Sequence, residues 1–178
     1  MRPLFFSLLF FGISFLATAQ TPNWVKYENE DITMQFPKRP FDTTMNVGKI
    51  SIRMVGIDEA TENFSITRTR MSSKENYSKK SANDFYKDML DGVLTRSKGT
   101  SVNSKLIESA DGHQALDASY LFQANNKTYK ANNIFVLTDN DVIYRFMHVF
   151  LVENEPKLKQ NNSSFFDSIK FKKKFLLN

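Results

Sequence analysis

Most of the chain alternates apolar and polar side chains with a period of two, the pattern of half-buried antiparallel strands. In the first clear example Ile32, Met34 and Phe36 share one face, and Pro37 ends the strand because proline cannot donate to a strand ladder. The alternation predicts strands at 24–27, 31–36, 49–57, 63–71, 105–109, 113–123, 128–137 and 142–151. Short polar turns join the later ones, as in an antiparallel meander.

The last of these strands is apolar on both of its faces. Val142, Tyr144 and Phe146 fall on one face, and Ile143 and Met147 on the other. A strand of this kind is covered on both sides, so we expect it at the centre of the sheet.

Two segments have helical periodicity. Ser81 is a suitable N-cap, Asp84 lies in the first turn, and the apolar stripe that follows predicts a helix to about Lys98, with Gly99 providing the break. The stripe consists of Ala82, Phe85, Tyr86, Met89, Leu90, Val93 and Leu94. A second helix is predicted from about Pro156 to Ser168, before an extended basic tail. Strands grouped around two helices indicate an α+β domain.

The N-terminal residues 1–19 have the features of a cleavable signal peptide. Arg2 precedes an apolar stretch from Leu4 to Leu16, and the small-residue triplet Ala17-Thr18-Ala19 follows. The apolar run is shorter than the roughly 20 residues that a spanning helix needs. We therefore expect an exported protein, periplasmic or secreted, with a single domain over residues 20–178 and no transmembrane segment after cleavage near Ala19.

Composition narrows the classes of function. Because Arg2 is the only charged residue of the leader, its removal lowers the net charge from +5 to +4. This mild, dispersed charge, without a recognisable module, argues against nucleic-acid binding. The chain has no cysteine, which excludes thiol nucleophiles, disulfides and zinc–thiolate sites.

The order of elements and two short aromatic signatures resemble a known group. Met34-Gln-Phe-Pro37 ends an early strand, one amphipathic helix precedes a three-strand meander, and Phe165-Phe-Asp-Ser-Ile-Lys-Phe171 ends the last helix. Over nearly the whole domain this is similar to the PsbP/Mog1-like small α/β proteins, especially their uncharacterised exported bacterial members. The resemblance implies one central antiparallel sheet flanked by two main helices, an α/β/α sandwich. The group is chiefly non-enzymatic, and it includes photosystem accessory subunits and a factor that binds a small GTPase. It shares no functional residues that could be carried over to positions of this chain.

Two basic features are candidate contact regions. Arg68 and Arg70 continue the apolar face of their strand, so their stems are expected to cover the core edge while their heads reach water or bind an anion. Lys170, Lys172, Lys173 and Lys174 form a basic tail from about residue 170 that could touch an anionic surface, although a solvated terminus is the simpler expectation.

Catalytic and metal-binding candidates are sparse. His113 reads as a solvated turn residue and His148 as a hydrogen-bonded core histidine. Asp139 and Asp141 are better explained by a polar turn than by calcium. No metal site, cofactor site or catalytic motif is predicted.

Three functions remain open from the sequence. The first is a non-catalytic binding or accessory protein of the cell envelope that acts through a protein partner. The second is a carrier of a small amphiphile, suggested by the 17 phenylalanines, which would need a cavity of about 300 Å³ or more between sheet and helix. The third is a hydrolase-type enzyme that would use Asp117, His148 or Arg145.

Overall fold

The computed structural model describes residues 23–48, 50–71, 80–108, 112, 114–138 and 141–172. Within these residues the elements follow in the order β1 (Val25–Glu28), β2 (Ile32–Phe36), β3 (Phe41–Val47), β4 (Ile50–Asp58), β5 (Glu62–Arg70), α1 (Ala82–Ser97), β6 (Thr100–Glu108), β7 (Gln114–Ala124), β8 (Lys127–Leu137), β9 (Val142–Leu151), α2 (Glu155–Asp167) and β10 (Lys170–Phe171). Neither helix of this described part has the length and apolar character needed to cross a membrane. The predicted leader and the end of the tail lie outside it.

Seven strands form one antiparallel sheet in the order β3-β4-β5-β9-β8-β7-β6. The predicted central position of the strand at 142–151 is confirmed, since β9 is the fourth of the seven. It pairs Phe64 of β5 with His148 on one side and Ile134 of β8 with Phe146 on the other. The predicted meander of β7, β8 and β9 is also confirmed.

A second sheet corrects the expectation of one central sheet. β1, β2 and β10 form a separate three-stranded antiparallel sheet in the order β1-β2-β10. Ile32, Met34 and Phe36 of β2 are fully buried and pack against Phe64 of the large sheet. The predicted alternation of β2 is confirmed. However, β2 is not a strand of the large sheet: it belongs to the small sheet, and its apolar face packs against the large one.

Helix α1 covers one face of the large sheet. It lies over β6 and β7, where Phe85, Leu90 and Val93 are buried against Leu116 and Phe135. Tyr86 attaches the helix to two strands, because its hydroxyl donates to the carbonyl oxygen of Gln114 and accepts from the backbone N–H of Leu137, each across 2.9 Å.

The predicted caps of α1 are half right. The side chain of Ser81 accepts from the backbone N–H of Asp84, as expected of an N-cap. At the other end, however, Lys98 adopts the left-handed conformation (φ 51°), which glycine more often supplies. Gly99 is needed for close packing instead, since a Cβ atom there would lie 2.8 Å from Oγ of Ser97 and 2.9 Å from Tyr120.

Helix α2 shares the opposite face of the large sheet with the small sheet. Phe165 anchors it, with ring centroids 5.6 Å from Phe36 and 5.0 Å from Phe64. The aromatic signature that ends this helix therefore lies at the junction of α2 with both sheets.

Two strands differ from the sequence prediction. β3 was not predicted: the sequence indicates a turn bracketed by Pro37 and Pro40 and no element between Pro40 and Lys49, although the residues of β3 do alternate. β6 begins at Thr100, five residues before the predicted start, in a segment whose side chains are almost all exposed. Both are the edge strands of the large sheet, where burial leaves the weakest pattern.

Candidate functional site

Part of the large sheet carries apolar side chains that the described elements leave exposed. Residues paired directly across antiparallel strands share a face, so Met45 lies beside Ile52, and Val47 beside Ile50. Phe41 and Met54 lie on the same face. Phe41 is 42% exposed, Met45 41%, Val47 58% and Ile50 38%. We call this side of β3, β4 and β5 the bare face; α1 packs on the same side of the sheet, but over β6 and β7.

The predicted strand at 49–57 is confirmed as β4, but its apolar alternation does not mark the face that enters the core. Ile50, Ile52 and Met54 do fall on one face, yet the side chains of this strand that are buried in the core are Val55 and Ile57. The apolar row that is easiest to recognise in the sequence therefore belongs to the bare face.

Arg145 borders the bare face, between Thr67 of β5 and Phe135 of β8. Its Nε donates to Oδ1 of Asn133 across 2.8 Å, and its Nη2 to the hydroxyl of Tyr120 across 2.9 Å. The guanidinium also lies over the ring of Phe135, 5.5 Å from the centroid. Its hydrogen-bond and ring partners within the described part of the chain are thus neutral.

The charge of Arg145 is only partly compensated. Burial lowers the pKa of Arg145, and the nearby positive charge of Arg96 lowers it further. No carboxylate within the described ranges forms an ion pair with Arg145. Its Nη1 makes no hydrogen bond to any residue of those ranges. A half-buried cation that lacks a carboxylate partner favours an approaching anionic group.

On the opposite face, a polar cluster ties α2 to the sheet. His148 is fully buried, its Nε2 lies 3.1 Å from Oε2 of Glu62, and its Nδ1 lies 3.1 Å from Oδ1 of Asn162. Nδ2 of Asn132 and Nδ2 of Asn161 donate to Asn162 and Glu62, respectively. The prediction of a hydrogen-bonded core histidine is confirmed, because both ring nitrogens have partners.

Beside this cluster, an open groove of about 550 Å³ runs between β8, β9 and the start of α2. Phe150 and Leu158 contribute apolar surface, and the ion pair between Lys130 and Glu155 lies at the groove. This volume exceeds the roughly 300 Å³ that a carrier of a small amphiphile would need.

The predicted contact residue Arg68 makes internal contacts. Its Nη2 lies 3.1 Å from Oε1 of Glu30 and 3.4 Å from Oδ2 of Asp31, and its Nε donates to the hydroxyl of Tyr144 across 3.0 Å. Its guanidinium therefore joins the two sheets and does not simply reach water. Arg70 is exposed at the end of the same strand.

The first residues of the basic tail form part of the small sheet. Lys170 belongs to β10, and the backbone N–H of Lys172 donates to the carbonyl oxygen of Asp31. Nζ of Lys172 lies 2.6 Å from Oε1 of Glu28. The hydrogen bond from Lys172, and to a smaller extent the one from Lys26, lowers the pKa of Glu28 to about 2. Lys173 and Lys174 lie outside the described residues, as do His113 and Asp139.

The three residues considered for a hydrolase do not converge. His148 and Arg145 lie on opposite faces of β9, because an odd separation along a strand reverses the side chain. Asp117 lies on β7 near Lys105, with Nζ 3.7 Å from its carboxylate. Among the described residues, no three His, Asp or Glu side chains are grouped as a metal site would require.

Sequence reasoning missed Asp31 and Tyr144 and undervalued Arg145. Asp31 looked like the polar start of a strand, and its tertiary partners lie far along the chain. The available signal for Arg145 was a charged residue inside an otherwise apolar central strand, which requires a specific reason.

Comparison with solved structures identifies the fold. No known family profile matches the chain, and no curated protein matches it by sequence. The chain is similar to the cyanobacterial PsbP of Synechocystis sp. PCC 6803, with a TM-score of 0.58 and 12% identity over 86% of this chain and 95% of that one. It is also similar to PA94 of Pseudomonas aeruginosa, a protein of unknown function named as a candidate regulator, with a TM-score of 0.50 and 12% identity over 79% and 91% of the two chains. The described domain therefore has the PsbP-like fold.

Proposed function

We propose that this protein is an exported, non-catalytic binding or accessory protein of the cell envelope, and that the bare face holds its protein partner. The signal-peptide pattern of residues 1–19 supports the location. The observation that carries the binding role is Arg145, a cation without a carboxylate partner among the described residues, which lies on β9 at the border of the bare face.

The chemistry of the surface defines the partner. Isolated exposed apolar residues are normal on soluble proteins, but these lie side by side on adjacent strands, as at protein–protein contacts. Arg145 adds a directional cation at the border, and arginine is enriched at interfaces. The expected partner presents apolar side chains next to a carboxylate.

The binding role is tested by capture from envelope extracts with matched variants. Met45→Glu replaces methionine on the bare face with a charged side chain of similar size. Leu106→Glu introduces the same charge on β6, where Leu106 is as exposed as Met45. A single protein retained by the wild type and by Leu106→Glu, but lost with Met45→Glu and Arg145→Gln, supports the proposal. Failure to recover a reproducible partner, or equal recovery by all four proteins, contradicts it.

The location is tested separately by fractionation and N-terminal sequencing. The expected product begins at Gln20 or Thr21 and is recovered from the periplasm or the medium. Recovery of the full-length chain from the cytoplasm or from the membrane would contradict the export proposal without bearing on the bare face.

A second candidate function is a carrier of a small amphiphile, favoured by the groove beside α2. An anionic head could approach Lys130 while a short apolar chain lies along Phe150 and Leu158. Titration with a fluorescent fatty acid tests it: Leu158→Glu should abolish saturable binding, and Leu106→Glu should leave it unchanged. Absence of saturable binding to the wild type would remove this candidate.

A further inference from the structure

β3 is an open edge of the large sheet. It pairs with β4 on one side, it is the first strand in the sheet order, and all seven of its residues are exposed. Alternate backbone N–H and C=O groups along its outer side therefore have no strand partner within the described chain. Such an edge is a template for another extended strand.

The two edges of this sheet differ in how they are protected. β6 has a register irregularity between Ser101 and Asn103 and carries Lys105, and both features discourage pairing at an edge. β3 keeps an unbroken register from Phe41 to Val47 and contains neither lysine nor proline. Edge strands are ordinarily blunted by such devices, so an unblunted one indicates a partner strand.

The one charged residue of β3 is already compensated. Asp42 accepts from Nη2 of Arg53 across 2.7 Å and from Nε across 3.0 Å, and the hydrogen bond from Arg53 lowers the pKa of Asp42. The paired carboxylate therefore does not repel an incoming strand as an isolated one would.

The sequence of β3 is complementary to itself. We propose that two copies of the chain associate through β3, paired antiparallel about Thr44, so that their large sheets join into one. In this register Phe41 faces Val47 of the second copy, Thr43 faces Met45, and Asp42 faces Asn46. Phe41, Thr43, Met45 and Val47 share one face of the strand, so each copy places apolar groups opposite those of the other, and no like charges are opposed.

This register also preserves the orientation of both molecules. Paired residues whose numbers have the same parity keep the bare faces of the two copies on the same side of the joined sheet. Pairing about Thr44 uses all seven residues of β3, whereas pairing about Thr43 or Met45 uses fewer. The contact is isologous, as in most homodimers. It joins the two bare faces but does not depend on the partner-binding role proposed above.

The size of the contact sets the expected strength. Seven residues extend over about 23 Å, since a strand rises about 3.3 Å per residue. One strand pair with three exposed apolar side chains on each copy is smaller than a standard interface of about 800 Å² per partner. We therefore expect a reversible dimer with a dissociation constant in the micromolar range.

Cysteine cross-linking tests the register directly, because the chain contains no cysteine of its own. Thr44→Cys places two thiols opposite each other at the two-fold axis, where facing Cβ atoms lie about 4.5–5.5 Å apart. Asn46→Cys is the matched control: it is equally exposed, but its copies would lie about 14 Å apart along the strands. The expected result is a disulfide-linked dimer from Thr44→Cys and monomer from Asn46→Cys under the same mild oxidation.

Analytical ultracentrifugation of the purified cysteine-free protein gives an independent measurement. A concentration-dependent dimer is expected, with Met45→Lys weakening it at least tenfold and Leu106→Lys leaving it unchanged. A wild type that remains monomeric at several hundred micromolar overturns the proposal. Equal cross-linking of the two cysteine variants, or none in either, does so as well.

Discussion

The hydroxyl of Tyr144 donates to Oδ2 of Asp31 across 2.5 Å and so joins the central strand of the large sheet to the small sheet. Arg68 contacts both groups from the neighbouring strand. Asp31 is only 8% exposed. The burial of Tyr144 raises the pKa of its hydroxyl, and the hydrogen bond to Asp31 raises it further. The contact between the two sheets therefore includes a charged hydrogen-bonded cluster beside the aromatic core.

Asp31→Asn is expected to destabilise the protein by about 1–3 kcal/mol, because among the described residues the half-buried guanidinium of Arg68 would keep only Glu30 as a charged partner. Urea unfolding followed by circular dichroism measures the change. Glu30→Gln is the matched control: Glu30 is more than half exposed, and its loss is expected to cost no more than about 1 kcal/mol. Equal losses in the two variants would show that Asp31 has no special role between the sheets.

Ionisation of the buried Tyr86 should lower the free energy of unfolding of the protein in alkali. Burial raises the pKa of Tyr86 to about 12, from an unfolded value near 10. The folded state therefore holds this proton more tightly, so the contribution is complete below pH 10 and is lost as the pH rises towards 12. At constant temperature the free energy of unfolding should fall by roughly 2 kcal/mol over this interval on account of Tyr86.

Tyr86→Phe separates this effect from other titrations. It should lower stability at pH 7 by about 1–3 kcal/mol, since the buried N–H of Leu137 and the carbonyl of Gln114 lose their partner. It should also flatten the decline between pH 10 and 12. An unchanged slope in the variant would assign the alkaline loss to other groups.

His148→Phe should destabilise the attachment of α2. Phe fills the space beside Phe64, where the His148 ring stacks with centroids 4.2 Å apart, but it leaves the carboxylate of Glu62 with Asn161 as its one remaining side-chain partner among the described residues. We expect a cost of about 2–4 kcal/mol. The double variant His148→Phe with Glu62→Leu should regain part of that loss, because no buried charge remains unpaired. A double variant that is no more stable than His148→Phe alone would show that the cluster does not act through the charge of Glu62.

Two glycines give opposite predictions for the same substitution. Gly92 lies half-buried in the middle of α1, and among the described residues a Cβ atom there would meet only Nη2 of Arg96, at 3.8 Å. Gly92→Ala should therefore stabilise the protein by about 0.5–1 kcal/mol, since alanine favours helix. At Gly56 a Cβ atom would lie 2.5 Å from the backbone oxygen of Phe64, so Gly56→Ala should destabilise it. Thermal unfolding of the two variants should shift in opposite directions.

The candidate site shows where reasoning from sequence reached its limit. The odd separation of Arg145 and His148 on one strand already placed them on opposite faces, so their failure to form one site followed from the sequence. The pairing of Arg68 with Asp31 did not, because the two residues lie 37 positions apart in different sheets. Lys172 likewise has its partner, Glu28, at the other end of the described chain.

Local patterns determined the types of element, the central place of β9, the start of α1 at Ser81 and the burial of His148, because period and capping depend on neighbours within a few residues. Tertiary structure alone decided that β2 would pack in a second sheet, that Ile52 and Met54 would lie on the bare face while Val55 and Ile57 entered the core, and that β3 would form an open edge. An alternating strand has two faces, and its sequence distinguishes them without saying which one another element will cover. That choice depends on contacts between distant segments, which the free energy of the whole fold selects.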